Sequence, residues 1–217
     1  MFYYNMSFKC RKFFENSGLS ESQVINHCNQ IVDMAGLGEE DITILFTHTY
    51  NRKFKDSLNG SAIQYDKDNN VYRLNIVSNF YHVLYGLFKG GFKHREEAII
   101  YMIAHEIAHF KQYHEKRLNN ISYSVCCWDG KYYNTKTSIL ASHEYMTLPW
   151  EYEANKIAVE YCRGVFGADF SDHLESISHS FCDIEYILEG GPKQQYAALS
   201  HDEVFKVVVK DFERLFK

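Results

Sequence analysis

From Ala98 to Phe110 the chain reads Ala-Ile-Ile-Tyr-Met-Ile-Ala-His-Glu-Ile-Ala-His-Phe, an apolar run in which His105, Glu106 and His109 are the strongly polar members. A run of this length without glycine or proline is a helix that must be buried, and burial is tolerated only if those three groups are satisfied. With about 3.6 residues per helical turn, His105 and His109 stand one above the other, so two imidazoles can converge on one ion. Glu106 is turned about 100° from His105, next to such an ion but not on it. A general base belongs in that place, beside a water whose pKa zinc lowers to about 7. The competing reading takes the histidines as hydrogen-bonded core or boundary residues of an amphipathic helix. It leaves three polar side chains on an apolar helix with no common partner.

The whole chain narrows the setting of this helix. Its 217 residues are enough for one well-filled domain, and 46% hydrophobic with 24% charged residues is the balance of a globular protein. Lys plus Arg number 23 against 28 Asp plus Glu, for a net charge of −5, and no segment holds a dense basic run, so nucleic acid is not expected as a partner. The first residues lack a basic segment followed by a continuous apolar one, and no run of about 18 apolar residues occurs anywhere. The expectation is a cytoplasmic protein with no membrane partner. Cys10, Cys28, Cys126, Cys127, Cys162 and Cys182 show no C-x-x-C spacing and read as free thiols. The adjacent Cys126 and Cys127 admit a second metal or redox site, but packing is the preferred account. Oligomeric state is left open.

Along the chain, Ser20 to Ala35 predicts a helix, with Ser20 and Gln23 as a capping box, a stripe of Val24, Cys28, Ile31 and Ala35, and Gly36 and Gly38 to end it. The β-branched alternation of Asp41 to Thr47 predicts a strand. Ser61–Tyr65 and Val71–Val77 flank the turn-forming Asp66–Asn70 as a hairpin, with Tyr72, Leu74 and Ile76 facing the core. A short helix is expected over Ser78–Leu87, ended by Gly90 and Gly91, and the motif helix over Arg95–Arg117, with Glu96 and Glu97 in its first turn. Ile121 to Leu148 reads as irregular, a functional loop or cleft wall. Pro149 opens a further helix to Tyr161 with Ala154, Ile157, Ala158 and Tyr161 inward, and Gly190-Gly-Pro192 marks a break. A last helix begins at Ser200, capped by Glu203, with Val204, Val207, Val208 and Phe212 as its stripe.

These elements make an α+β chain in which a small mixed or antiparallel sheet packs on the motif helix and a mainly helical part follows. We expect a single domain over 1–217. Its N-terminal subdomain, 1–118, carries the sheet and the motif helix, and 119–217 is a mainly helical subdomain.

A catalytic zinc takes three protein ligands and keeps one position open, so two histidines are not enough. A third histidine following the motif, with its accompanying glycine, is the metzincin solution, but Gln112 and Glu115 occupy those two positions and His114 is turned away, so that class is rejected. The other solution is a glutamate from a second helix. Glu151-Tyr-Glu-Ala-Asn155 has the form E-x-x-A-N, with a carboxylate and an amide on one face near a helix start. As a helix N-terminal carboxylate Glu151 would also simply suit the dipole.

With H-E-x-x-H upstream of E-x-x-A-N, roughly residues 60 to 165 resemble the gluzincin zinc metallopeptidases, above all small cytosolic members of the ImmA/IrrE and minigluzincin kind. The resemblance implies a zincin-like fold, one Zn2+ per chain held by His105, His109 and Glu151, Glu106 as general base, and Asn155 orienting a ligand. It implies hydrolysis of peptide bonds in a protein or peptide substrate, with the strand Val71–Val77 as the edge on which the substrate pairs. Tyr145 and His143, just before the second motif, are the candidates for donating to the oxyanion. Two other functions compete. A catalytically inactive zinc-containing binding module would have no use for Glu106, and a DNA-dependent SprT-type protease is disfavoured by the acidic balance and the glutamate ligand.

Overall fold

The computed structural model describes residues 2–38, 41–50, 58–78, 92–122, 124–135, 148–167, 170 and 198–215. The chain is α+β, with five helices and two small sheets among those residues. The first sheet joins β1 (Phe2–Met6), β2 (Ile42–Tyr50), β3 (Leu58–Asp66) and β4 (Val71–Ser78) in the order β1-β2-β4-β3. β1, β2 and β4 run parallel and β3 returns antiparallel to β4. Ile42, Ile44 and Phe46 of β2 and Tyr72, Leu74 and Ile76 of β4 alternate onto one buried face, as period-two patterning requires.

Helices α1 (Phe8–Asn16), α2 (Glu21–Met34) and α3 (Phe92–His114) contribute to the same core. α2 starts at the expected capping box, with both Ser20 and Gln23 bonds made, and buries Val24, Cys28, Ile31 and Val32. α3 is the central helix. Ala98 to Ala104, Ile107, Ala108 and Phe110 are all buried, and a helix apolar on every side has to be covered on every side. It ends in a Schellman turn, where Lys116 takes φ 59° and the Arg117 N–H donates to the Gln112 carbonyl at 3.0 Å.

A second sheet of β5 (Leu118–Asn120), β6 (Val125–Trp128) and β7 (Lys131–Asn134) forms an antiparallel meander. α4 (Pro149–Phe166) lies against α3, and α5 (His201–Leu215) reaches β6. Leu118, Cys126, Trp128, Tyr133, Leu148 and Trp150 form a separate apolar cluster that seats the start of α4 on this second sheet.

The structure departs from several expectations. Among the described residues strand β4 is internal and β3 is the edge strand beside it, because β2 occupies the other side of β4. α3 begins at Phe92, which puts Glu96 and Glu97 in its second turn, and it ends before Lys116 and Arg117. The stretch after Asn120 carries β6 and β7, closed by Asp129 at φ 47° and Gly130 at φ 76°, the left-handed pair of a tight hairpin turn. Thus residues 119–217 are not only helical. Ile157 is half-buried and Val159 takes its place inside. β1 and α1 were not anticipated. Ser78, the expected start of a helix, is the last residue of β4, while the rest of that segment, 79–87, the glycines at 90 and 91 and the break at Gly190 fall outside the described residues. Cys10, Cys28, Cys126, Cys127 and Cys162 are free thiols, and Cys182 is outside the described residues. Among the described residues no helix is long and apolar enough to cross a membrane.

Candidate metal centre

Two helices build the centre. α3 brings His105 and His109 one turn apart onto the face that meets α4, and α4 brings Glu151 in its first turn. Pro149 at the start of α4 fixes that turn, and Trp150, packed with Trp128 and Tyr133, holds it down. The Glu151 Oε2 atom stands 3.2 Å from His105 Nε2 and 3.5 Å from His109 Nε2, and the two Nε2 atoms are 3.1 Å apart. The ligand-type atoms of His105, His109 and Glu151 all lie within 4.8 Å of one another.

The far side of each imidazole decides what this cluster is. Asn155 Oδ1 lies 2.9 Å from His105 Nδ1 and also accepts the Tyr101 hydroxyl at 2.7 Å. Gln112 Oε1 lies 2.8 Å from His109 Nδ1, while Gln112 Nε2 donates to the Trp150 carbonyl at 2.9 Å. A carbonyl only accepts, so the Trp150 bond fixes which end of the Gln112 amide faces His109. The Gln112 contact therefore puts a proton on His109 Nδ1, and Asn155 Oδ1 is placed to accept one from His105 Nδ1. In a neutral ring that leaves the Nε2 lone pair facing the centre. Nε2 of both rings and the Glu151 carboxylate thus face one point, where a positive charge, either a proton on a ring or a bound cation, has to sit between them. The set of two imidazoles and one carboxylate is a donor set that suits zinc.

The electrostatics express the same demand. Burial would lower the His109 pKa, but the charge and hydrogen bond of Glu151, with Glu106 and Gln112 adding to them, push it up to about 9. Burial would raise Glu151, yet His109 and His105 hold its carboxyl well below the usual range. Glu106 is buried beside these groups and is not one of the three. Burial raises its pKa, the nearby histidines lower it, the Glu151 charge raises it, and the Ala62 backbone N–H of β3 donates to it and lowers it. The edge strand thus runs past the carboxylate expected to act as base.

Asn155 is fully buried on the Glu151 face, one turn further along α4. Glu153 points elsewhere: its carboxylate binds the Arg117 guanidinium at 2.8 and 3.0 Å, and Arg117 in turn pairs with Asp129 and lies over the Trp128 ring. His143 and Tyr145 lie outside the described residues. Gln112 and Tyr101 were not singled out from the sequence, although each sits at helical spacing from a histidine, three residues after His109 and four before His105. No protein-family model, curated protein or solved structure matches the chain.

Proposed function

We propose that this chain is a zinc metallopeptidase of zincin-like fold and gluzincin type, hydrolysing peptide bonds of a protein or peptide substrate. The observation that carries the reading is the convergence of His105 Nε2, His109 Nε2 and the Glu151 carboxylate, with Glu106 buried alongside and outside the set. His105, His109 and Glu151 would hold one Zn2+ per chain. Such an ion, when bound, polarises a carbonyl and makes water acidic at neutral pH. Glu106 takes the proton of the attacking water on its carboxylate and returns it to the departing amine. Asn155 and Tyr101 keep His105 from turning. Burial of Glu106 keeps bulk water from competing for that proton.

Among the described residues β3 pairs only with β4, so an extended peptide can add to its outer edge next to Glu106. Free thiols at all five described cysteines fit a reducing, cytoplasmic setting. The test is metal analysis together with proteolysis of candidate proteins by wild type and Glu106→Gln. Both should hold one zinc per chain, and the variant should lose hydrolysis by roughly 10²- to 10⁴-fold. A variant that cleaves as well as wild type would remove Glu106 as base. A zinc-loaded wild type that cleaves nothing would favour the inactive binding module.

A further inference from the structure

We propose that Gln112 is a positioning residue for the metal centre, setting the direction of the His109 lone pair and tying it to the helix that carries Glu151. The proposal rests on the reading of His105, His109 and Glu151 as metal ligands. Gln112 is fully buried on α3, and its side chain spends both ends on the centre. Its oxygen holds His109 Nδ1–H at 2.8 Å, and its nitrogen donates at 2.9 Å to the carbonyl of Trp150, the residue immediately before Glu151. One amide therefore spans the gap between a ligand ring on α3 and the backbone bearing the ligand on α4.

The arrangement complements that of Asn155, which projects from α4 onto His105 of α3. Each histidine is thus held by an amide anchored to the other helix, directly for His105 and through Trp150 for His109. An imidazole held only by its Cβ can rotate about χ2, and each rotation moves Nε2 off the point where the other two ligand atoms meet. Gln112 removes that freedom. The Trp150 carbonyl prevents the amide from flipping, since a flipped Gln112 would set oxygen against oxygen.

The experiment compares Gln112→Met, Gln112→Asn and Gln112→Glu with wild type in zinc competition against a chromophoric chelator, in the visible spectrum of the cobalt-substituted protein, and in melting of the metal-free protein. Methionine keeps the volume but neither bond, and asparagine is too short to make both. Each should weaken zinc binding about 10- to 100-fold and alter the cobalt spectrum. Glutamate keeps the acceptor for His109 Nδ1–H but sets an oxygen against the Trp150 carbonyl, so Gln112→Glu should bind zinc less tightly than wild type and more tightly than Gln112→Met or Gln112→Asn. Should Gln112→Met fail to fold, Gln112→Asn decides the matter. Wild-type zinc affinity and an unchanged cobalt spectrum in the asparagine or methionine variant, whatever happens to melting, would overturn the proposal and make Gln112 a packing residue. Equal weakening in all three would likewise overturn the orientation of His109 as its role. A wild-type protein that takes up neither zinc nor cobalt would sink the metal reading itself, a result distinct from either.

Discussion

Glu151 and Glu153 begin the same helix with the same functional group, and only position separates them. Two residues along a helix turn a side chain by about 200°, which sends Glu151 to the histidines and Glu153 to Arg117. We expect Glu151→Ala to abolish tight zinc binding and Glu153→Ala to keep one zinc per chain, at a cost of no more than about 1 kcal/mol for a partly exposed ion pair. Metal analysis of the two purified variants checks this, and a reversed pattern would displace E-x-x-A-N as the second motif. That His105, His109 and Glu151 come together was legible because the two motifs restrict both residue type and helical spacing. Gln112 was not legible in that way, because glutamine is common on helices and its meaning depends on which backbone carbonyl of another helix it meets. The N–H of Ala62 on Glu106 was out of reach altogether, since a backbone donor leaves no mark on the side-chain sequence.

Capping boxes predicted where helices begin, and α2 and α5 both start at theirs. Alternation predicted the β3–β4 hairpin, since eight or nine residues are enough to display a period of two. Strands β5 to β7 run three or four residues, too short for any period, and only Asp129-Gly130 betrayed them. α5 is fastened to that small sheet by a polar clasp that its apolar stripe did not foretell. The buried Asp211 accepts from the Ser122 hydroxyl at 2.7 Å, the Ser124 N–H at 2.9 Å and the Ser124 hydroxyl at 2.9 Å. Burial alone would raise the Asp211 pKa, but these donors, with Arg214 near, bring it below its ordinary value. A carboxyl whose pKa is depressed by folding adds stability that is complete above the ordinary value of about 3.9 and is lost as pH falls below it. Asp211→Asn should therefore melt below wild type at pH 6, and the gap should narrow as pH falls below about 3.9. Denaturant melts of the pair across that range test it, and a gap independent of pH would mean the charge is not what holds the helix.

Because the proposed ligands come from two helices that pack on each other, a metal bound there should stabilise the folded chain as a whole. At free zinc about a thousandfold above its dissociation constant, linkage supplies about 4 kcal/mol, which for a chain of this size lowers the melting midpoint by roughly 8–16 °C when chelator is added. The midpoint of Glu151→Ala should not respond to chelator, and an equal response in both proteins would place the metal elsewhere. The order of the ligands along the chain has a further effect, one that operates in time. The four-stranded sheet and α3 are complete before α4 begins, and folding during synthesis proceeds from the N-terminus. While it is still on the ribosome, then, the chain can carry His105, Glu106 and His109 and yet lack Glu151, the carboxylate of the proposed set. A chain stalled or truncated ahead of α4 would carry the recognisable motif without Glu151, so if the proposed reading holds, hydrolysis would begin only with the last third of the molecule.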